Sequence, residues 1–265
     1  MNPLSLAHLT VLGLDPPAMI ACAARLGYDA VGLRLIRVTE ASPGYPLHDD
    51  PAALRRTRAA LDATGLVVND VEFVRIDPAF HPAAQLPFLE AGAALGARHV
   101  ICAPYDPDLA RLADNLAALA ALARPLGLSC VLEFFPWTVV PDLAAAVALT
   151  EGTGAGILVD TLHFDRSGSR LDHLARLPLG RVPFAHLCDA PVHPPYSTDD
   201  LLHAGRAERL PPGEGAIDLA AILRRLPAGI PLGLEVPMTA RAAHEGPEAV
   251  AALAIAGARR VLAAL

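Results

Sequence analysis

Cysteine is scarce in this sequence and badly placed for cross-linking. Cys22, Cys102, Cys130 and Cys188 are far apart and form no CxxC pair. A disulfide framework or a cysteine-held zinc is therefore not expected, and three of the four sit in apolar runs where a small thiol packs as core. Long apolar runs are missing as well. No stretch reaches about 18 residues without a charge, Gly or Pro, so no membrane span is predicted. The opening MNPLSLAHLTVLGLD has no basic n-region, and the expectation is a soluble cytoplasmic protein. Positive charge is in deficit: 21 basic against 28 acidic residues gives a formal net charge of −7. Nucleic acid is thus not expected as a partner, because non-specific affinity for it comes chiefly from Lys and Arg. No GxGxxG follows the first strand candidate, which removes the main sign of a dinucleotide-binding sheet.

What is present is a rhythm. Eight short β-branched or Leu-rich runs recur along the 265 residues: Leu4–Thr10, Ala30–Leu35, Val67–Val74, His99–Ala103, Cys130–Phe134, Gly156–Asp160, Pro183–Leu187 and Leu232–Val236. Helical stretches with start signals lie between them, such as Asp15-Pro16-Pro17 before Ala18–Leu26 and Asp49-Asp50-Pro51 before Ala52–Ala63. Asp218 is a plausible N-cap for Leu219–Leu226. Gly27, Gly65, Gly96 and Gly127 close several of these stretches, as left-handed C′ residues do. Strict alternation implies parallel strands with right-handed crossovers, and eight units close most naturally into a (β/α)8 TIM barrel, an α/β fold of one domain over residues 1–265. The longest stretch without a periodic pattern, Asp189–Gly215, follows the seventh strand and is expected to be an irregular lid at the active face.

Four otherwise apolar strands end in a charge or an imidazole: Glu133 in VLEFF, Asp160 in ILVD, His186 in FAHL and Glu235 in LGLEV. In a barrel the C-terminal ends of strands five to eight surround one mouth, so these side chains converge. Three converging carboxylates repel, and a divalent cation with one imidazole resolves that cost. The expected cofactor is therefore one divalent ion, Mn²⁺, Mg²⁺ or Co²⁺ by donor hardness, with Zn²⁺ also admissible. Such an ion chelating a carbonyl and its neighbouring hydroxyl stabilises an enediolate while flanking carboxylates move the α-proton. Trp137 has two readings of equal standing, an apolar face for a ring-shaped substrate or a side chain packed against the mouth of the barrel. His8, Arg34, Asp70 and Glu72 lie near other strand ends, but alternation alone does not fix whether they face inward.

The segments VLEFFPW, ILVDTLHFDRSG, FAHLCDAP, LPPGEGAIDL and LGLEVP resemble the sugar phosphate isomerase/epimerase family, the xylose isomerase-like TIM barrels. The resemblance is strong from Ser129 to Pro237 and elsewhere rests on the β/α rhythm. It implies Glu133, Asp160, His186 and Glu235 as ligands of one metal, and Glu133 and Glu235 as acid/base groups on opposite faces of the substrate. It also implies that His163, in Asp160-Thr161-Leu162-His163, bonds a substrate oxygen, and that an arginine after the seventh strand approaches the substrate. Of Arg206 and Arg209, Arg206 is preferred for that role. Glu214 is read as structural. The expected activity is isomerisation or epimerisation of a small keto sugar or related carbonyl compound, with dehydration of the inosose or dehydroshikimate type as the alternative. The expected partner is a small carbohydrate or cyclitol, with homo-oligomerisation left open. Apurinic endonucleases share the fold, but similar trinuclear sites need histidines where Val71-Glu72-Phe73 and Cys102-Ala103-Pro104 stand.

Overall fold

The computed structural model describes residues 2–38 and 43–265. Eight parallel strands close into a barrel in chain order: β1 (Leu4–Ala7), β2 (Ala30–Arg34), β3 (Val67–Ile76), β4 (His99–Pro104), β5 (Ser129–Glu133), β6 (Gly156–Asp160), β7 (Ala185–Leu187) and β8 (Leu232–Leu234). Helices return the chain outside it. They are α1 (Pro16–Leu26), α2 (Pro51–Thr64), α3 (Leu86–Ala94), α4 (Leu109–Ala123), α5 (Leu143–Thr150), α6 (Thr161–Arg166), α7 (Leu171–Ala175), α8 (Thr198–Arg206), α9 (Leu219–Leu223), α10 (Thr239–Glu245) and α11 (Pro247–Ala263). Among the described residues, no helix is long and apolar enough to cross a membrane.

The local signals act as the residue types dictate. Asp15, Asp50, Asp108, Asp142, Asp160 and Asp218 each accept a backbone N–H at the start of the following helix, satisfying donors that the first turn leaves open. Strand ends differ from the expectation where side chains intercept the ladder. The first strand stops at Ala7 and His8–Val11 coils into a 3-10 turn. There Thr10 Oγ1 donates to the Leu234 carbonyl at 2.7 Å and accepts the Val236 N–H at 2.8 Å, which also ends β8 at Leu234. The third strand runs on to Ile76, carrying an irregularity between Val71 and Val74.

Asp189–Gly215 is not one irregular loop. It holds α8, begun by a Ser197–Asp200 capping box, and its two flanks pair antiparallel at Asp189 and Leu210. Asp189 also anchors the chain beyond Leu210 by accepting the N–H groups of Gly213 and Ile217.

Alternation along the strands builds the barrel interior in layers. Ile101, Val131, Leu158 and Phe184 are buried as a separate apolar plug inside the barrel. Two residues further along β5 and β6, and two beyond Phe184, the same inward face carries Glu133, Asp160 and His186. Gly233 and Glu235 repeat the step on the β8 side. The intervening Leu132, Val159 and Ala185 point outward into the sheet–helix core. A leucine or valine there contributes roughly 1.5–3 kcal/mol on burial, which lets the barrel carry a charged layer above its plug.

Candidate metal centre

Glu133, Asp160, His186 and Glu235 are all buried, and each offers one ligand atom within 4.8 Å of the others. His186 Nδ1 lies 3.9 Å from Glu133 Oε1, 3.8 Å from Asp160 Oδ2 and 3.7 Å from Glu235 Oε2. These separations are too long for hydrogen bonds, but they suit donors that each reach about 2.0–2.2 Å to a common ion. Neither ring nitrogen of His186 has a hydrogen-bond partner, and Glu133 Oε1 has none. A buried polar atom left so costs about 1–3 kcal/mol, and here several collect at one point. The residues therefore fit a divalent cation held by three carboxylates and one imidazole. Gly233 makes the room: a Cβ there would stand 2.6 Å from His186 Cδ2.

Asp160 does two jobs. Its Oδ1 accepts the N–H groups of Leu162 and His163 at 2.7 and 3.2 Å, capping α6, and its Oδ2 is turned to the cluster. The Asp-x-x-His spacing is thus a helix cap that sets the His163 ring one turn above the carboxylate. His163 is buried, with Nε2 3.8 Å from Glu133 Oε1 and edge-on to Phe135 and Trp137. Trp137 stacks on Phe135 with centroids 5.1 Å apart, and its indole N–H donates to Tyr105 Oη. Gly205 of α8 lets the helix lie on that indole, since a Cβ would come within 2.7 Å of Cη2.

Arg206 reaches the same cavity only from its exposed rim. The buried arginine is Arg209. Its Nη1 donates to Asp160 Oδ2 at 2.7 Å and its Nη2 lies 2.8 Å from Glu235 Oε2, so Arg209 is paired within the cluster, and Arg206 is the arginine that lines the cavity from its rim. α8 ends at Arg206, leaving that side chain on the helix surface, whereas Arg209 sits in the paired flank that turns back across the barrel mouth and donates its N–H to the Pro237 carbonyl. Three ionised carboxylates and one guanidinium leave −3 + 1 = −2, the charge a divalent ion balances.

The electrostatics follow from burial. Burial pushes the Glu133 carboxyl well above the usual range, and Glu235 and Asp160 push the same way. Burial would also raise Asp160, but Arg209, His163 and His186 hold it at about 2. Burial lowers His163 to about 4, so its ring is neutral near pH 7, with Arg209 adding to the shift against Asp160. For Glu133 the sign is unfavourable without a cation: the folded chain binds more protons than the unfolded one, and stability falls as pH rises through the raised value. Metal-stripped Glu133→Gln, neutral at every pH, is expected to melt above metal-stripped wild type under mildly alkaline conditions, by on the order of 2–4 °C. Thermal melts in chelator across pH check this, and an unchanged or lower midpoint would contradict it.

The cavity over the cluster measures about 200 Å³ and is lined by Leu9, Leu12, Phe73 and Tyr105 besides the residues above. That is below the roughly 300–1,000 Å³ of sites for drug-sized ligands. Arg34 and Glu72 also line it, while Asp70 lies one layer lower, and His8 is a loop anchor that accepts the Arg34 N–H and stacks on Tyr45. Among the described residues, the four-residue cluster is the one grouping able to hold a metal.

The closed eight-stranded parallel barrel thus gathers, among the described residues, one buried carboxylate–imidazole cluster at its last four strand ends. Residues 20–256 match the family of xylose isomerase-like TIM barrels, and the chain belongs to that family. It is 28% identical over 152 residues to an inosose isomerase of Bacillus velezensis, a match spanning 52% of each protein, so the chain covers about half the length of that relative. Among solved structures, the zinc-bound IOLI protein superposes with a TM-score of 0.78 at 19% identity, over 98% of this chain and 97% of that one. D-allulose 3-epimerase from Methylomonas sp., in complex with D-allulose, superposes at 0.72 and 16% identity, over 98% and 96%. At these identities both show the shared fold.

Proposed function

We propose that this chain is a divalent-metal-dependent isomerase or epimerase of a small keto sugar or cyclitol ketone, working by proton transfer at the carbon next to the carbonyl. The observation that carries the reading is the placement of two buried glutamates, Glu133 and Glu235, flanking the Asp160–His186 pair and opening into one small cavity. A cation held there would polarise the substrate carbonyl and acidify the adjacent C–H. Glu133 or Glu235 then takes the proton, and the same or the opposite glutamate returns it, which decides between exchange and inversion. All 21 basic residues are arginines and the chain holds no lysine, so carbonyl activation through a lysine Schiff base is closed to it. His163, neutral at its lowered pKa, is placed to bond a substrate oxygen, and the Phe135–Trp137 stack offers the apolar face of a sugar ring. The names of the inosose isomerase relative and of the epimerase neighbour support the same substrate class.

The test joins elemental analysis to isotope exchange. About one divalent ion per chain is expected, and metal-loaded protein in D₂O should place deuterium beside the carbonyl of inosose or D-allulose. Loss of water in the same assay would put this proton transfer ahead of an elimination and make the enzyme a dehydratase. Metal-free protein with full activity, or no exchange and no water loss with any ketone of the class, would overturn the reading.

A further inference from the structure

Across the cavity from the metal ligands stand Arg34 and Glu72. β2 and β3 face β6 and β7 through the barrel axis, and Arg34 and Glu72 lie two residues beyond Gly32 and Asp70, in the same mouth layer as Glu133 and Asp160. Their side chains are only 5% and 3% exposed, with Arg34 Nε 3.3 Å from Glu72 Oε1. Neither atom makes a hydrogen bond. Burying two charges costs several kcal/mol per ion, repaid only when their remaining donors and acceptors are satisfied, and here the two facing atoms lack that partner while both side chains line the cavity. Phe73, Phe135 and Trp137 line the same cavity as the pair and the cluster glutamates.

A guanidinium and a carboxylate side by side present a donor and an acceptor at no net charge. A sugar hydroxyl satisfies both, accepting from Arg34 and donating to Glu72. A phosphate or carboxylate can only accept, and it would meet the Glu72 charge with Glu133 and Glu235 nearby. Arg209 is committed to Asp160 and Glu235. The remaining cation lining the cavity among the described residues is the rim residue Arg206.

We infer that Arg34 and Glu72 form the hydroxyl-reading end of the site and restrict it to ketones whose far end is uncharged, free sugars or cyclitols rather than their phosphate esters. This rests on the reading of the cavity as a polyhydroxy-ketone site. Calorimetric titration of Mn²⁺-loaded protein with inosose, D-allulose and D-allulose 6-phosphate tests it, alongside the deuterium assay. The ester is expected to bind at least about tenfold more weakly than the free ketose. Glu72→Gln, which removes the charge at constant shape, should weaken free-ketose binding about tenfold and narrow the gap to the ester, because Arg34 then faces the cavity unopposed. Should that variant not fold, the double variant Arg34→Gln, Glu72→Gln is expected to lose ketose affinity with no gain for the ester. Deuterium exchange together with an ester that binds as tightly as the free sugar, or an unchanged ratio in folded, metal-loaded Glu72→Gln, overturns this inference alone. Absence of both binding and exchange with every ketone overturns the functional reading and this inference with it.

Discussion

Glu133→Gln and Glu235→Gln are each expected to lower turnover by roughly two to four orders of magnitude, the usual weight of a positioned acid or base. Alanine would be a poor test at either position, because it removes an ion ligand together with the base. Glutamine keeps an oxygen donor and the side-chain volume while taking away the proton acceptor. Some metal affinity should survive, so kinetics at saturating Mn²⁺ separate lost chemistry from lost cation. In an epimerase with one glutamate on each face, the two variants should also differ in which epimer still exchanges its α-proton with D₂O. Wild-type rates in both glutamine variants would remove the glutamates from the chemistry. The expected loss of turnover, combined with the higher melting point expected of metal-stripped Glu133→Gln, would show a carboxylate kept for reaction at a cost in stability.

Arg209→Leu is expected to have the largest effect on stability. Arg209 is buried between Asp160 and Glu235, and burial and its partners act on it in opposite directions. Desolvation works to lower its pKa, yet Asp160, Cys188 and Glu235 outweigh it and hold the guanidinium well above its usual value. Removing the cation leaves two buried carboxylates without their partner, a loss of about 3–5 kcal/mol, or a fall in melting point on the order of 10 °C. The deficit should shrink on adding Mn²⁺, because a divalent ion at the cluster replaces part of the missing charge. Arg206→Leu, on the exposed face of α8, should change the melting point little. Differential scanning calorimetry with and without metal makes the comparison, and equal effects of the two substitutions would refute the assignment of Arg209 as the cluster's resident counter-ion.

Much of this protein is legible because its information is local. Short apolar runs with Asp caps before the helices and Gly after them encode strand, helix and boundary within a few residues of chain, and eight repeats leave few topologies open. Glu133, Asp160, His186 and Glu235 could be found because a charge at the end of an apolar strand breaks a pattern that the sequence itself establishes. Other features were decided only by closure of the barrel. Whether Arg34, Asp70 and Glu72 point inward depends on strand register, and β3 carries an irregularity that no alternation rule locates. Arg209 is bonded to a carboxylate 49 residues away. Its place is set by the Asp189–Leu210 pairing that folds the segment after α8 back over the mouth, whereas the sequence shows only two arginines three residues apart. The charge balance of the cluster, and with it the raised Glu133 and lowered Asp160 carboxyls, belongs to the tertiary structure as well, because desolvation and Coulomb interactions depend on distances that exist only once strands five to eight stand side by side.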